Sequence, residues 1–144
     1  MSVSQILKQK GRDVITASPG DTVQAVAETL GKMRIGAVVV SSGGGKIDGI
    51  VSERDVVRAV GEQGGAALSK PVSSIMTKNV KSCSDNDSEM ELMALMTQHR
   101  IRHLPVVTDG KLSGMISIGD VVKFRIEAIE RDAADMKAYI SGAA

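Results

Sequence analysis

The chain has 144 residues, of which 18 are basic and 17 are acidic, and its formal net charge is +1. This balance gives no electrostatic attraction to nucleic acids or anionic membranes. The two aromatic residues, Phe124 and Tyr139, cannot form a platform on which bases stack. The single cysteine, Cys83, excludes an intramolecular disulfide and a zinc site built from several cysteines.

No stretch of the sequence approaches the roughly 18 apolar residues of a membrane span. The segment from Met1 to Lys8 lacks the apolar core of a secretory signal. We therefore predict a cytoplasmic protein in a reducing compartment, with neither membrane nor nucleic acid among its partners.

The sequence contains a tandem duplication. Two long segments resemble each other at an offset of 66, which aligns Arg34-Ile35 with Arg100-Ile101. A loop that is one residue shorter in the second copy changes the offset to 65, which aligns Asp55 with Asp120. A period of this length exceeds that of a solenoid repeat, so we predict two copies of one small unit.

Taken in chain order, each copy predicts the same elements. A short strand and a Ser-x-x-Asp turn precede a helix whose apolar residues recur at three- and four-residue spacing. A buried strand, a glycine-rich turn, a second strand and a helix that begins at Ser52 or Ser117 follow. The strands are predicted at 14–16, 37–40 and 49–51 in the first copy, and at 80–82, 104–107 and 114–117 in the second.

The order β-α-β-β-α, repeated twice, predicts an α/β (α+β) fold. Because each half is too short to bury a core alone, we expect the two sheets to pack against each other in one domain. Pro105 lacks a backbone donor, which predicts that its strand begins at or near a sheet edge.

We predict four segments along the chain. Residues 1–61 form the N-terminal segment and first copy, 62–71 a linker, 72–125 the second copy, and 126–144 a helical tail. The linker is expected to be most flexible at Gly64-Gly65. Pro71 is expected in the first turn of a short helix.

The tail carries apolar residues at a 4-3-4-3-4 spacing, which is typical of a heptad seam. The pattern fits an amphipathic helix packed on its own domain, and it fits equally a helix that joins two chains in a homodimer. The residues of this seam are Val122, Ile126, Ile129, Ala133, Met136 and Ile140.

One motif occurs in both copies, as Gly-Ile-Val-Ser-Glu-Arg-Asp-Val-Val-Arg and as Gly-Met-Ile-Ser-Ile-Gly-Asp-Val-Val-Lys. Its Ser-x-x-Asp part predicts a capping box at a helix start. The same residues also suit a ligand, because backbone can approach at a glycine and a carboxylate can accept bonds from ribose hydroxyls. For two matching copies the two interpretations have similar weight.

These motifs, together with Arg-Ile-Arg-His-Leu-Pro-Val-Val at 100–107, resemble a cystathionine-β-synthase (CBS) domain pair, or Bateman module, over roughly residues 12–125. The resemblance implies two units packed sheet to sheet around a pseudo-twofold axis, with two clefts between them. It implies adenosine-containing ligands: AMP first, with ADP, ATP, NAD or S-adenosylmethionine as alternatives.

The resemblance also implies roles for individual residues. Asp55 and Asp120 would hold ribose hydroxyls, and Ser52 and Ser117 would lie near ribose or phosphate. Backbone at Thr16 and Ser82 would contact adenine, and Arg102 and His103 would form a phosphate clamp. The remaining predicted nucleotide-binding residues are Gly49, Pro105 and Gly114.

The two copies differ at the clamp. The first copy has Gly36-Ala37 where the second has Arg102-His103. The family arrangement implies that this clamp faces Asp55, which leaves the cleft of Asp120 without a clamp and with more room.

Other candidate sites are weaker. The stretch 42–46 lacks the spacing of a P-loop, and His99 and His103 lack a third metal ligand. No metal site and no nucleophile–base pair are predicted. We interpret the chain as a stand-alone regulatory, non-enzymatic nucleotide sensor, with a homodimer and an unknown regulated protein as further partners. The alternatives are a ligand-free interaction scaffold and, more remotely, an enzyme using His103 and Cys83.

Overall fold

A computed structural model describes residues 2–142, which form five α-helices and five β-strands. The helices are α1 (Val3–Lys10), α2 (Val23–Met33), α3 (Glu53–Gln63), α4 (Glu89–His99) and α5 (Ile118–Ile140). The strands are β1 (Thr16–Ala17), β2 (Ala37–Val40), β3 (Gly49–Ser52), β4 (His103–Thr108) and β5 (Lys111–Ser117). Two short 3₁₀ helices, Gly64–Ser69 and Val72–Ser74, connect the copies.

The first copy forms a three-stranded sheet in the order β1-β2-β3. β1 pairs parallel to β2, and β2 pairs antiparallel to β3 with Ala37 opposite Ser52. All four residues of β2 are buried, as expected for a central strand made of alanine and valine. The predicted α/β order is confirmed in this copy, although its first strand lies at 16–17 rather than 14–16.

The second copy pairs β4 antiparallel with β5, but the predicted strand at 80–82 is wrong. Only Cys83 pairs with β4 there, as an isolated parallel bridge to Val106. Its amide donates to the Pro105 carbonyl at 2.9 Å, and its carbonyl accepts from Val107 N at 2.9 Å. One more step of this ladder would need an N–H on Pro105, which proline lacks, so the pairing ends.

The helices begin where side chains satisfy their free amides. Ser52 and Ser117 cap α3 and α5 in capping boxes completed by Asp55 and Asp120, as the motif predicts. The Ser-x-x-Asp sequences before α2 and α4 close turns instead, and the caps are Thr22 and Ser88, which lie one residue beyond each aspartate.

Each copy has its own hydrophobic core. The segment that precedes the first copy packs into the core of the second, and the segment that precedes the second copy packs into the core of the first. Val3, Ile6 and Leu7 of α1 are buried in the core of the second copy. Val72, with Ile75 and Met76 packed beside it, lies in the core of the first. α1 therefore packs on the second copy although it precedes the first copy in the chain.

The linker between the copies is helical. Gly64 has a φ of 67°, a conformation that suits glycine, and it ends α3. A 3₁₀ helix with a buried Ala67 then packs on α2 and α3. The flexibility expected at Gly64-Gly65 stays a prediction. Pro71 lies at the N-cap of the next 3₁₀ helix, Val72–Ser74.

α5 continues without interruption from its cap at Ser117 to Ile140. Val121 and Phe124 bury one side of its first turns. The five large residues of the heptad seam are 49% to 77% exposed, so this seam does not pack on its own domain. Across residues 2–142, no helix combines the length and apolar character needed to cross a membrane.

Candidate functional site

The first cleft is a cavity of about 230 Å³ to which both copies contribute residues. Ser52 and Asp55 enter it from the junction of β3 and α3. Arg102 and His103 enter it from the start of β4. The predicted ribose residues and the predicted phosphate clamp therefore line one cavity.

The carboxylate of Asp55 is only 10% exposed and is held in a fixed position. Its Oδ2 accepts bonds from Ser52 N at 2.8 Å and from Ser52 Oγ at 3.2 Å. Its Oδ1 has Arg58 as a partner at 3.4 Å, a long contact to a side chain that is 65% exposed. Capping therefore uses one carboxylate oxygen, and the other has only a weak partner to exchange for a ligand hydroxyl.

Basic side chains line the first cleft together with this carboxylate. Arg54 Nη1 donates to the carbonyl of Arg100 at 3.5 Å and links the two copies across the cavity. Sequence reasoning missed these residues, although Arg54 carried a signal: a cation in the first turn of a helix opposes the helix dipole. The basic residues that line the cleft besides Arg102 are Arg54, Arg58, Lys81 and Arg100.

The imidazole of His103 is half-buried and lines both clefts. A Cβ added to Gly36 would lie 2.8 Å from its Cε1, so a residue with a side chain at 36 would displace the ring. Burial, and then the positive charges of Arg102 and Lys10, hold the pKa of His103 below its usual value of 6.5. Glu53 and Asp120 act in the opposite direction. The ring is therefore neutral at pH 7.

The second cleft, of about 340 Å³, contains Ser117 and Asp120. Gly36, Ala37 and His103 line both clefts, so of the predicted clamp only Arg102 is confined to the first cleft, and the prediction of a second cleft without a clamp is wrong for His103.

The second cleft also contains Lys10, which sequence reasoning missed. Lys10 Nζ donates to Asp120 Oδ2 at 2.5 Å and to the carbonyl of Met115 at 2.8 Å. Burial alone would raise the pKa of Asp120, but the bonds from Lys10 and Ser117 outweigh it and lower that pKa.

The remaining predicted ligand residues line neither cleft. Thr16 lines a separate pocket of about 50 Å³, while its neighbour Ile15 lines the second cleft. Lys81 lines the first cleft in place of the predicted Ser82. Pro105 pairs with Met115 inside the second sheet.

The two motif glycines are packing positions rather than cleft residues. A Cβ on Gly49 would lie 2.6 Å from Met76 Sδ, and one on Gly114 would lie 3.0 Å from Leu7 Cδ2. Because glycine has no side chain, Met76 can pack closely against β3 at Gly49, and Leu7 can pack closely against β5 at Gly114.

Cys83 does not have the environment of a nucleophile. Its side chain is buried in the core of the second copy. Burial, followed by the charges of Asp87 and Asp85, raises the pKa of its thiol to about 12. The reactive thiolate is therefore scarce at neutral pH. In the described part of the chain, no three His, Cys, Asp or Glu side chains group closely enough to hold a metal ion.

The sequence and the fold match known proteins over most of the chain. Residues 3–62 and 72–127 each match the CBS domain. A mitochondrial CBS domain-containing protein of Arabidopsis thaliana is 33% identical over 98% of this chain and 72% of its own length.

Solved structures agree with this assignment. A CBS-domain containing protein of Agrobacterium tumefaciens is 49% identical, with a TM-score of 0.85 over 87% of this chain and 99% of that one. A CBS domain protein of Pyrobaculum aerophilum, complexed with AMP, is 30% identical, with a TM-score of 0.74 over 83% of this chain and 89% of that one. The duplicated unit, the two clefts and these matches show that the chain belongs to the CBS domain family, as a tandem pair of CBS domains.

Proposed function

We propose that the chain is a regulatory module, not an enzyme, that binds an adenosine nucleotide in the first cleft, with AMP as the preferred ligand. The main support for this proposal is that Ser52 and Asp55 of the first copy line the same cavity as Arg102 and His103 of the second. A ligand held by both copies stabilises one arrangement of them, and this shift in population is the signal that a partner protein reads.

Each side chain suits one part of a nucleotide. The carboxylate of Asp55 accepts from ribose hydroxyls once Arg58 releases its long contact. The guanidinium of Arg102 binds phosphate in a planar, bidentate manner. The further cations of the cleft, Arg54 and Arg100, also suit additional phosphates, so ADP and ATP are the first ligands to compare with AMP.

The relative from Pyrobaculum aerophilum supports AMP as the first candidate, since its structure is a complex with AMP. NAD and S-adenosylmethionine complete the ligand panel. NAD carries two phosphates, whereas S-adenosylmethionine carries none, so it leaves the clamp unused. A thermal-shift comparison of these ligands tests the ranking, because a ligand at one hundred times its Kd adds about 2.7 kcal/mol of stability.

The decisive experiment is calorimetric titration of AMP and adenosine into wild type, Asp55→Asn and Arg102→Ala. Asn at 55 keeps a capping acceptor but loses the charge, and affinity for both ligands should fall by about 1.5–3 kcal/mol. Arg102→Ala should weaken AMP and leave adenosine nearly unchanged, because adenosine has no phosphate. The matched control is Arg131→Ala, on the exposed tail.

Two results would contradict this assignment. Equal losses for AMP and adenosine in Arg102→Ala would remove Arg102 from the phosphate site. Unchanged affinity for both ligands in a folded Asp55→Asn variant would show that Asp55 does not bind ribose.

A nucleotide that co-purifies with the protein is easily seen in its ultraviolet spectrum, because the protein has no tryptophan and one tyrosine and therefore absorbs weakly itself.

The second candidate function is a ligand-free scaffold, and the exposed seam of α5 is the observation that favours it. We propose that this seam joins two chains in a homodimer, an arrangement compatible with either function.

We also propose a cytoplasmic location. Because one relative is named as mitochondrial, cell fractionation must examine both compartments.

A further inference from the structure

The two clefts are built from equivalent positions of the two copies. The offsets of 66 and 65 align Ser52 with Ser117 and Asp55 with Asp120, and each pair lines its own cleft. Apolar side chains lie beside the motif in both clefts, and those of the second cleft are Val14, Ile15, Ile35 and Met115. The second cleft therefore retains the residue types that suit a ribose and a base.

The carboxylate of Asp120 keeps one oxygen for a ligand. Its Oδ2 accepts from Lys10 Nζ at 2.5 Å and from Ser117 N at 2.9 Å. Among the residues that the structure describes, none donates a hydrogen bond to its Oδ1, and the side chain is 23% exposed. Asp55 is arranged similarly, since its Oδ1 has only the long contact to Arg58. Both carboxylates can therefore accept a bond from a ribose hydroxyl.

The clefts differ in charge at their equivalent positions. Four aligned pairs differ, and in each pair the residue at the second cleft is less positive than its equivalent at the first. These pairs are Arg102 and Gly36, Arg54 and Gly119, Lys81 and Ile15, and Asn79 and Asp13. The second cleft therefore lacks three cations of the first and has one additional carboxylate.

The charges that remain in the second cleft balance each other. Its cationic side chains are Lys10 and Arg34, and its carboxylates are Asp13 and Asp120. Lys10 is already bound to Asp120 and to the carbonyl of Met115. Arg34 is therefore the cation that a ligand in this cleft would meet, and the two carboxylates oppose its attraction for an anion.

The first cleft has an excess of positive charge. Five arginine and lysine side chains line it together with the single carboxylate of Asp55. His103 lines both clefts and therefore does not distinguish them. A phosphate monoester carries about two negative charges at pH 7, so it is attracted far more strongly to the first cleft than to the second.

We infer that the second cleft is a binding site for a nucleoside that carries no phosphate, so that the two clefts of one chain sort nucleosides and nucleotides by charge. The inference rests on the proposed function for the ribose role of the motif. It adds a second class of ligand, for which free adenosine is the probe, because adenosine presents ribose and base without charge.

The test is calorimetric titration of adenosine and AMP into the full-length protein and its Asp120→Asn variant. Wild type should bind two molecules of adenosine per chain and one of AMP. Asp120→Asn keeps a capping acceptor at the start of α5 but loses the charge. It should therefore lose one adenosine and leave AMP binding unchanged.

Gly119→Arg gives the second cleft the arginine that the first cleft has at position 54. An added Cβ at 119 meets only Ser117 Oγ, at 3.6 Å, so the helix has room for a side chain there. The affinity of the second cleft for AMP should rise about tenfold or more, the factor expected for one charged hydrogen bond. Gly61→Arg is the matched control, because Gly61 also lies in a helix with open space around it, lines neither cleft and should leave AMP binding unchanged.

Three results would overturn the inference: equal affinity of the two clefts for AMP in wild type, adenosine binding by a folded Asp120→Asn that equals wild type, or no gain for AMP in a folded Gly119→Arg. If Asp120→Asn loses an adenosine while Asp55→Asn changes neither ligand, the inference stands and the proposed function fails at the first cleft. If wild type binds a single adenosine that Asp55→Asn weakens, the proposed function stands and the inference fails.

Discussion

His103 connects the two clefts at the scale of a single residue. Its ring lines both cavities, and burial together with Arg102 and Lys10 lowers its pKa below 6.5. In the unfolded chain this lowering is absent, so the unfolded state binds more protons between the two pKa values. His103 therefore reduces the stability of the free protein as pH falls through 6.5.

Ligand binding should reverse this effect. A phosphate beside His103 raises its pKa, so AMP should bind more tightly as pH falls below 6.5, with net proton uptake. Adenosine should show neither change. Calorimetry in buffers of different ionisation enthalpy measures the uptake directly.

His103→Gln should remove the proton uptake, while His99→Gln, at the exposed end of α4, should keep it. Proton uptake that persists in His103→Gln would assign the titration to another group. It would also remove His103 from the phosphate site.

The repeated motif predicted Ser52 and Asp55 as candidates, and the resemblance to CBS domain pairs placed Arg102 and His103 opposite them in one cleft, whose cavity all four residues line. The sequence could not predict Lys10, since that side chain reaches Asp120 only after α1 packs on the other copy. The position of His103 between both clefts depends on the absent side chain at Gly36, a contact that no local pattern encodes.

At the scale of elements, the shared motif glycine has different surroundings in β3 and in β5. A Cβ at Gly49 meets Met76 Sδ at 2.6 Å and the backbone oxygen of Thr77 at 2.9 Å. Thr77 cannot move away easily, because it exchanges two hydrogen bonds with Ile50. A Cβ at Gly114 meets only the ends of the Leu7 side chain at 3.0 Å and 3.1 Å, and an ordinary contact at 3.5 Å.

We therefore expect Gly49→Ala to lower the free energy of unfolding by about 1–3 kcal/mol, and Gly114→Ala to lower it less. Gly61→Ala is the control: it lies in α3 with open space around it and should gain up to about 1 kcal/mol of stability. Urea unfolding of the three variants measures this order. Equal losses at 49 and 114 would show that the backbone at Thr77 yields as easily as a leucine side chain.

Periodicity predicted most helices and strands, and the exceptions have local causes. The first strand of the second copy is reduced to the Cys83 bridge because Pro105 cannot donate to it. The Ser-x-x-Asp sequences before α2 and α4 form the predicted turns, in which each aspartate accepts from the serine amide, and the helix caps follow one residue later. Ser-x-x-Asp can form either a helix cap or a turn. Here the next residue, Thr22 or Ser88, can itself cap the helix, and the Ser-x-x-Asp sequence forms the turn.

At the scale of the whole molecule, the two copies are interlocked. α1 completes the core of the second copy, and the segment around Val72 completes the core of the first. The 3₁₀ linker packs on α2 and α3, so it is part of the fold. Composition could not predict this packing, because it carries no information on the burial of Ala67, which follows the two glycines.

The exposed seam of α5 carries the last prediction, that two chains associate through it. The helix has 23 residues, and at 1.5 Å per residue it spans about 35 Å. Its apolar side faces solvent, and two exposed methionines, Met90 and Met93, lie on α4, which packs against α5. A strip of this kind on a folded chain marks an interaction surface.

Replacing Ile126 and Ile129 by Asp should leave the fold intact, since both side chains are half exposed in the single chain. Association should weaken about tenfold or more, because burying a charge in an apolar interface costs above 1 kcal/mol. Truncation after Arg125 should act in the same direction. Arg131→Asp places an acid on the opposite side of the helix and should not change association. Sedimentation equilibrium across concentrations measures all four proteins, and identical behaviour of wild type and the seam variant would assign the dimer to another surface.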